Sequence, residues 1–236
     1  MKTYVSFSGG ADSTAVAILL HERKEDFELL FGDTGAELPE TIWTVTEVAR
    51  KLGKKLHVVS NGSFFQHLAG FGYLLPSIQR RWCTRLLKRV PLDRYVKATG
   101  GADVAVGIRA DEPKRLRDDG KLYPLADAGM GKPDVMELCE KHGLLNPIYN
   151  WRSSCSCFCC PFQRRGDWKG LFEKHPDLFE LACHWEDVSL ETSPNGFTWI
   201  GGKSLRNLAS CNREQLKLFP ECTAEPCVIC SHRKNL

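Results

Sequence analysis

Short uninterrupted apolar runs alternate along this chain with longer stretches in which apolar residues recur every three or four positions. Tyr4, Val5 and Phe7 close a first run that reads as a buried strand, and Ala15 to Leu20 follow as an apolar helix. Phe27 to Phe31 form a second strand candidate, followed by a helical run from about Thr41 to Leu52. Leu56 to Val59 and Asp103 to Gly107 supply a third and a fourth. This alternation predicts an α/β fold: a mostly parallel open sheet with helices on both faces.

Polar residues gather where these runs end, at the strand ends where open α/β sheets bind ligands. The first strand runs into Ser8-Gly9-Gly10-Ala11-Asp12-Ser13. Its glycines permit backbone angles and a close approach that a side chain would block. The free N–H groups of the turn and of the first helical turn then form an anion cradle, reinforced by the helix dipole. A plain glycine turn with an Asp-Ser cap is the alternative. Neither a Walker A loop nor Gly-x-Gly-x-x-Gly is present. The second strand ends in Gly32-Asp33-Thr34-Gly35, and the fourth carries Ile108-Arg109 and then Asp111, Glu112, Lys114 and Arg115.

Ser8 to Ser13 resembles the pyrophosphate loop of the ATP pyrophosphatase (PP-loop) superfamily, whose members split ATP between the α and β phosphates and commonly place AMP on a substrate. Taken together, FSGGADS, FGDTGAELPET, RRWCTRLLKRVPLDRY and VGIRADEPKR resemble the adenylyl-sulfate and phosphoadenylyl-sulfate reductase branch over roughly residues 1 to 185. That resemblance implies a PP-loop, HUP-like core. It also implies that Ser6, Ser8, Gly9, Gly10, Asp12 and Ser13 hold nucleotide phosphate or its Mg²⁺, that Asp33 and Thr34 line the pocket, and that Arg109 meets an anionic group. Asp12 and Arg109 are accordingly candidate catalytic residues.

Composition changes this picture little. With 236 residues, 42% hydrophobic and 26% charged, the chain suits one α/β core plus appendages. A net charge of +3 permits an anionic substrate without demanding nucleic acid. No signal peptide or membrane-spanning run is visible, so a cytoplasmic location without membrane partners is expected.

Cysteine usage adds a second chemistry. An odd count of eleven, with Cys157, Cys159 and Cys160 clustered, disfavours a secreted disulfide framework and suits a soft metal in a reducing compartment. A turn from Cys157 to Pro161 can bring Cys157 and Cys160 onto one metal or cluster, with Cys83 as a third ligand. The segment around Cys83 resembles that of cluster-containing adenylyl-sulfate reductases, where adjacent cysteines pair with a distant Cys-x-x-Cys around a [4Fe–4S] cluster. The first of the adjacent cysteines is missing here. Cys155 or Cys159 then supplies the fourth ligand, or one iron stays open, as in tRNA-thiolating enzymes of the same superfamily. Structural zinc at this place and unliganded thiols are the alternatives. Cys159 is also a candidate catalytic thiol, whereas Cys139 and Cys183 read as core residues.

A further group closes the sequence. Cys211, Cys222, Cys227 and Cys230 fit a tetrahedral Zn²⁺ knuckle, with His232 able to replace Cys211. Glu221-Cys222 matches only the first two positions of the mobile Glu-Cys-Gly-Leu-His tail of assimilatory reductases. Six cationic side chains and one acid between Arg80 and Arg94 suit an active-site anion, a nucleic-acid backbone or a solvated helix face.

The expected organisation is a nucleotide-binding core over residues 1–125, a helical cap and cysteine-rich region over 126–190, and an appendage over 191–236. The function expected is ATP-dependent nucleotidyl activation followed by sulfur transfer with an iron–sulfur cluster, to an unidentified small-molecule or nucleic-acid acceptor. A sulfur or electron donor protein and a homodimer are the expected partners. The alternatives are a sulfonucleotide reductase releasing sulfite, an ATP-dependent amide- or nitrile-forming ligase, and a nucleotide-sensing or nucleic-acid-binding module.

Overall fold

The computed structural model describes residues 2–193 and 195–213, with side chains described as far as Ala209. The chain divides into two compact units, Met1–His67 with Arg81–Cys157, and Leu68–Arg80 with Phe158–Leu236.

The first unit holds one sheet. Strands β1 (Thr3–Phe7), β2 (Glu28–Asp33), β3 (Leu56–Ser60) and β4 (Asp103–Ala105) are all parallel, in the order β3-β2-β1-β4. Both neighbours of β1 are reached by crossovers, as parallel pairing requires. The strands fall on the four apolar runs, because strands covered on both faces read as continuous hydrophobic sequence.

Helices α1 (Ala11–Glu22), α2 (Pro39–Leu52), α3 (Phe64–Gly70), α4 (Val90–Ala98), α5 (Pro124–Asp127) and α6 (Lys132–Lys141) follow in chain order. On one face Val5, Phe7, Leu29 and Phe31 meet Val16 and Ile18 of α1, Val45 and Val48 of α2, and Val135 and Cys139 of α6 in one buried cluster. α2 starts with Pro39 at its first position and buries Thr41, Thr44, Val45, Val48 and Leu52, a stripe at helical spacing. On the other face Tyr4 meets the rings of His57 and Tyr95 of α4 edge-on. Truncating one of these buried aromatics, such as Phe31, costs about 3–5 kcal/mol.

Ahead of α4, Thr84–Arg89 wind as a π-helix in place of the α-helix that the sequence suggests. Pro91 offers no N–H to Leu86, five residues back, and the Asn61 amide donates to that carbonyl instead at 3.1 Å. Such wide turns recur at functional sites. This one lies along β2: a Cβ added at Gly32 would stand 3.6 Å from the Leu87 carbonyl oxygen.

The second unit is helical, with α7 (Arg165–Lys174), α8 (Pro176–Thr192) and α9 (Leu205–Arg213). The carboxylate of fully buried Glu186 accepts the N–H groups of Trp199 and Leu205 at 2.8 and 2.7 Å. Those two bonds tie the segment after α8 back onto it. Trp168, also fully buried, lies near the Trp199 ring. Among the described residues no helix is long and apolar enough to cross a membrane.

Candidate active site

The turn between β1 and α1 is held by its own serines. The Ser8 N–H donates to Ser13 Oγ at 3.1 Å, and Ser13 Oγ donates to the Gly10 carbonyl at 3.0 Å. Ser13 thus braces the loop rather than capping the helix, whose N-cap, Gly10, has no side-chain bond. The N–H groups of Gly9, Gly10, Asp12 and Ser13 have no protein acceptor among the described residues. Unpaired donors at a helix N-terminus make an anion site.

β1 is flanked by β2 on one side and β4 on the other, so the chain order switches direction there, where open α/β sheets place their ligands. At this point Arg109, past the end of β4, donates from Nη1 to both oxygens of Asp12 at 2.9 Å. It also meets Asp111 at 2.8 Å and Glu112 at 3.4 Å. Burial works against the Arg109 charge, but the Asp12 bonds outweigh it and raise its pKa further. Two of the three candidate catalytic residues, Asp12 and Arg109, are therefore paired with each other. Gly107 permits this approach: a Cβ there would lie 2.8 Å from the Asp12 carbonyl carbon and 2.9 Å from the Ser13 nitrogen.

The turn after β2 forms the second wall. Asp33 accepts the Gly35 N–H at 2.8 Å, and buried Thr34 donates to Glu37 Oε1 at 2.8 Å. Thr34 Oγ1 also lies 3.3 Å from Cys157 Sγ, while Lys88 of the π-helix reaches Glu37 at 3.9 Å. Thr34 therefore shapes the turn through Glu37 and Cys157, and Asp33 fixes its backbone.

Residues 146–157 close the arrangement, and sequence reasoning assigned no site role to most of them. Asn146 caps a 3₁₀ turn, Pro147–Asn150, and donates to the Gly9 carbonyl at 2.8 Å. Tyr149 accepts the Ala11 N–H at 2.9 Å. Buried Arg152 holds the Ser156 carbonyl and hydroxyl and the Cys157 carbonyl at 2.8–3.1 Å, which fixes the cysteine-bearing loop. Cys155 thereby comes to the pyrophosphate loop, with Sγ 3.8 Å from the Ser8 carbonyl and 3.4 Å from Thr41 Oγ1. Burial pushes its thiol pKa up, and the Thr41 hydroxyl draws it partly back. The Asn146-Pro147 pair was the available signal for this segment, as a turn start with a fixed φ.

Of the thiols expected at a cluster, Cys155 and Cys157 stand in the first unit beside the strand ends. Cys83 precedes the π-helix, and Cys160 belongs to the second unit, as does fully buried Cys159. Among the described residues no three Cys, His, Asp or Glu side chains gather as metal ligands. Cys222, Cys227 and Cys230 lie outside the described residues, as does the side chain of Cys211. Ser6 sits inside β1, opposite Leu30. Cys139 and Cys183 are core residues, with burial pushing each thiol up to about 12.

Two uncharacterised proteins of Methanocaldococcus jannaschii are each 28% identical to this chain, over 83% and 78% of its length, and it spans less than half of either: 44% and 46%. An uncharacterised nin-region protein of Escherichia phage lambda is 29% identical over 58% of each chain. The crystal structure of the phosphoadenylyl-sulfate reductase of Candida auris, a phosphate complex, shares the fold with a TM-score of 0.53 at 20% identity, covering 66% of this chain and 80% of that one. The family profile described as the phosphoadenosine phosphosulfate reductase domain matches residues 2–154, the whole span from β1 to the cysteine-bearing loop. The chain therefore belongs to the phosphoadenosine phosphosulfate reductase domain family.

Proposed function

We propose that this chain is an ATP-dependent nucleotidyl-activating sulfurtransferase working at the carboxyl ends of β1, β2 and β4. The carrying observation is the Cys155 sulfur against the pyrophosphate loop, with Cys157 at the neighbouring β2 turn. A sulfur chemistry and a phosphate cradle then share one crevice.

In this reading the unpaired N–H groups of Gly9, Gly10, Asp12 and Ser13 bind the β and γ phosphates of ATP, and Arg109 exchanges Asp12 for a phosphate oxygen. Asp12, released, is the residue to hold Mg²⁺, which would supply charge neutralisation on the phosphates. An acceptor oxygen attacks the α phosphorus, the bond to the β-phosphate oxygen breaks, and pyrophosphate leaves. Sulfide-level sulfur from a donor then attacks the acceptor carbon, and AMP departs with the former acceptor oxygen. The loop amides stabilise the charge on pyrophosphate without a catalytic lysine. Cys155 and Cys157, the two thiols at this crevice, are the residues proposed to bind the sulfur.

Incubation with ATP, Mg²⁺, ³⁵S-sulfide and separate RNA and small-molecule fractions tests this directly. The expected result is AMP, pyrophosphate and ³⁵S in one fraction, with ³⁵S transfer lost in Cys155→Ser and Cys157→Ser while ATP binding remains. AMP formation that never carries ³⁵S into product sinks the proposal. The family match itself supports a second reading, a sulfonucleotide reductase, for which sulfite released from phosphoadenylyl or adenylyl sulfate by a thiol reductant, without ATP, is the mark.

A further inference from the structure

The Asn146–Tyr149 turn touches the pyrophosphate loop twice, and only one of the two contacts uses up its side chain. Asn146 accepts the Ile148 N–H and donates both to Gly9 O and towards Cys155 Sγ. Tyr149 only accepts, from Ala11. Its own hydroxyl hydrogen has no acceptor among the described residues. The hydroxyl sits close to Gly10, at 3.5 Å from where a Cβ on that glycine would stand. It therefore lies at the mouth of α1, among the unpaired amides.

We propose that Tyr149 is a phosphate-binding residue of this site, accepting the Ala11 N–H and donating its hydroxyl hydrogen to an oxygen of the pyrophosphate moiety. This rests on the reading of the loop as a nucleotide site. A phenol placed there extends the cradle: the Ala11 amide polarises the hydroxyl, which passes the hydrogen bond on to the anion. The hydroxyl stays protonated, since burial above all, with Cys155, Asp12 and Cys139 nearby, pushes its pKa up to about 12. A neutral donor adds affinity for phosphate oxygens without adding charge, so its contribution is specific for phosphate and is indifferent to adenine and ribose. Its position 138 residues from Ala11 in the chain also makes completion of the cradle depend on the folding of the cysteine-bearing end of the unit.

The test is calorimetric titration of wild type and Tyr149→Phe with ATP, inorganic pyrophosphate and adenosine. A hydrogen bond to a charged group corresponds to roughly 10- to 100-fold in affinity. The expected result is a loss of that size for ATP and pyrophosphate with adenosine unchanged. Equal loss for all three marks a merely structural contact, and no loss for any marks an idle hydroxyl; either overturns the proposal alone. A wild type that binds neither ATP nor pyrophosphate overturns the nucleotide reading, and the proposal with it. Should Tyr149→Phe not fold, a ring-fluorinated tyrosine at 149 replaces it, because its more acidic hydroxyl ionises at a pH where the native one is intact. Pyrophosphate affinity of that protein must fall through the hydroxyl's titration relative to wild type, and parallel pH profiles overturn the proposal.

Discussion

Gly107→Ala is the substitution on which the geometry bears most heavily. The added methyl would stand 2.8 Å from the Asp12 carbonyl carbon, 2.9 Å from the Ser13 nitrogen and 3.0 Å from Asp12 Cβ. None of these is the end of a flexible side chain, so the end of β4 and the start of α1 must separate by several tenths of an ångström. Overpacking of this kind costs about 1–3 kcal/mol. For a chain of this size that lowers the melting temperature by roughly 2–12 °C. The same displacement pulls Arg109 away from Asp12 and turns the Asp12 and Ser13 amides, so ATP affinity falls at least about tenfold, on the scale of one charged hydrogen bond. Gly166→Ala is the control: it lies in α7 with no atom within 4 Å of the added Cβ, and is expected to be neutral or stabilising by up to ~1 kcal/mol. Thermal melts and ATP titrations of both variants decide the matter. A Gly107→Ala protein that melts and binds like wild type refutes the contact between β4 and α1 on which the site is built.

Arg109→Gln removes both bonds to Asp12 and is expected to weaken ATP binding about tenfold or more, with the salt dependence of binding reduced, as measured by titration at two ionic strengths. Glu28 is bonded to Lys2 at 2.8 Å and His57 at 2.6 Å; burial opposes its charge, yet these bonds hold its pKa below the usual value. Its contribution to stability is therefore present above an unfolded pKa of about 4.3 and is lost as pH falls through the lower folded value, so Glu28→Gln should flatten the acid limb of stability measured by denaturant melts. Cys139 and Cys183, buried and with thiol pKa values near 12, should resist iodoacetamide in the native protein at pH 8 and react only after unfolding, as peptide mass mapping will show.

Much of the first unit was legible because its strands are buried on both faces. Tyr4–Phe7 and Phe27–Phe31 could hardly be anything else, and the glycines and aspartates that follow them mark where a ligand sits. Pairings across long separations were not legible. Asp12 and Arg109 could each be named for an anion or a metal, but nothing local says that they bind one another. The π-helix escaped because Thr84–Arg89 has the residues of an ordinary helix; its register depends on Pro91 and on an amide donated from Asn61. Asn146, Tyr149 and Arg152 act through a short turn, and turn sequences report their own backbone rather than what they touch. The cysteines made chemistry legible but not geometry: density alone grouped Cys155 to Cys160, while Thr34, Thr41 and Arg152 set where Cys155 and Cys157 stand.

The position at which ATP is cut bears most directly on the account. With [α-³²P]ATP, Mg²⁺ and an acceptor fraction, labelled AMP or an adenylated intermediate together with unlabelled pyrophosphate is the predicted outcome. Labelled ADP with released phosphate, or an inert ATP while a parallel reaction with phosphoadenylyl sulfate and a thiol reductant yields sulfite, would contradict it.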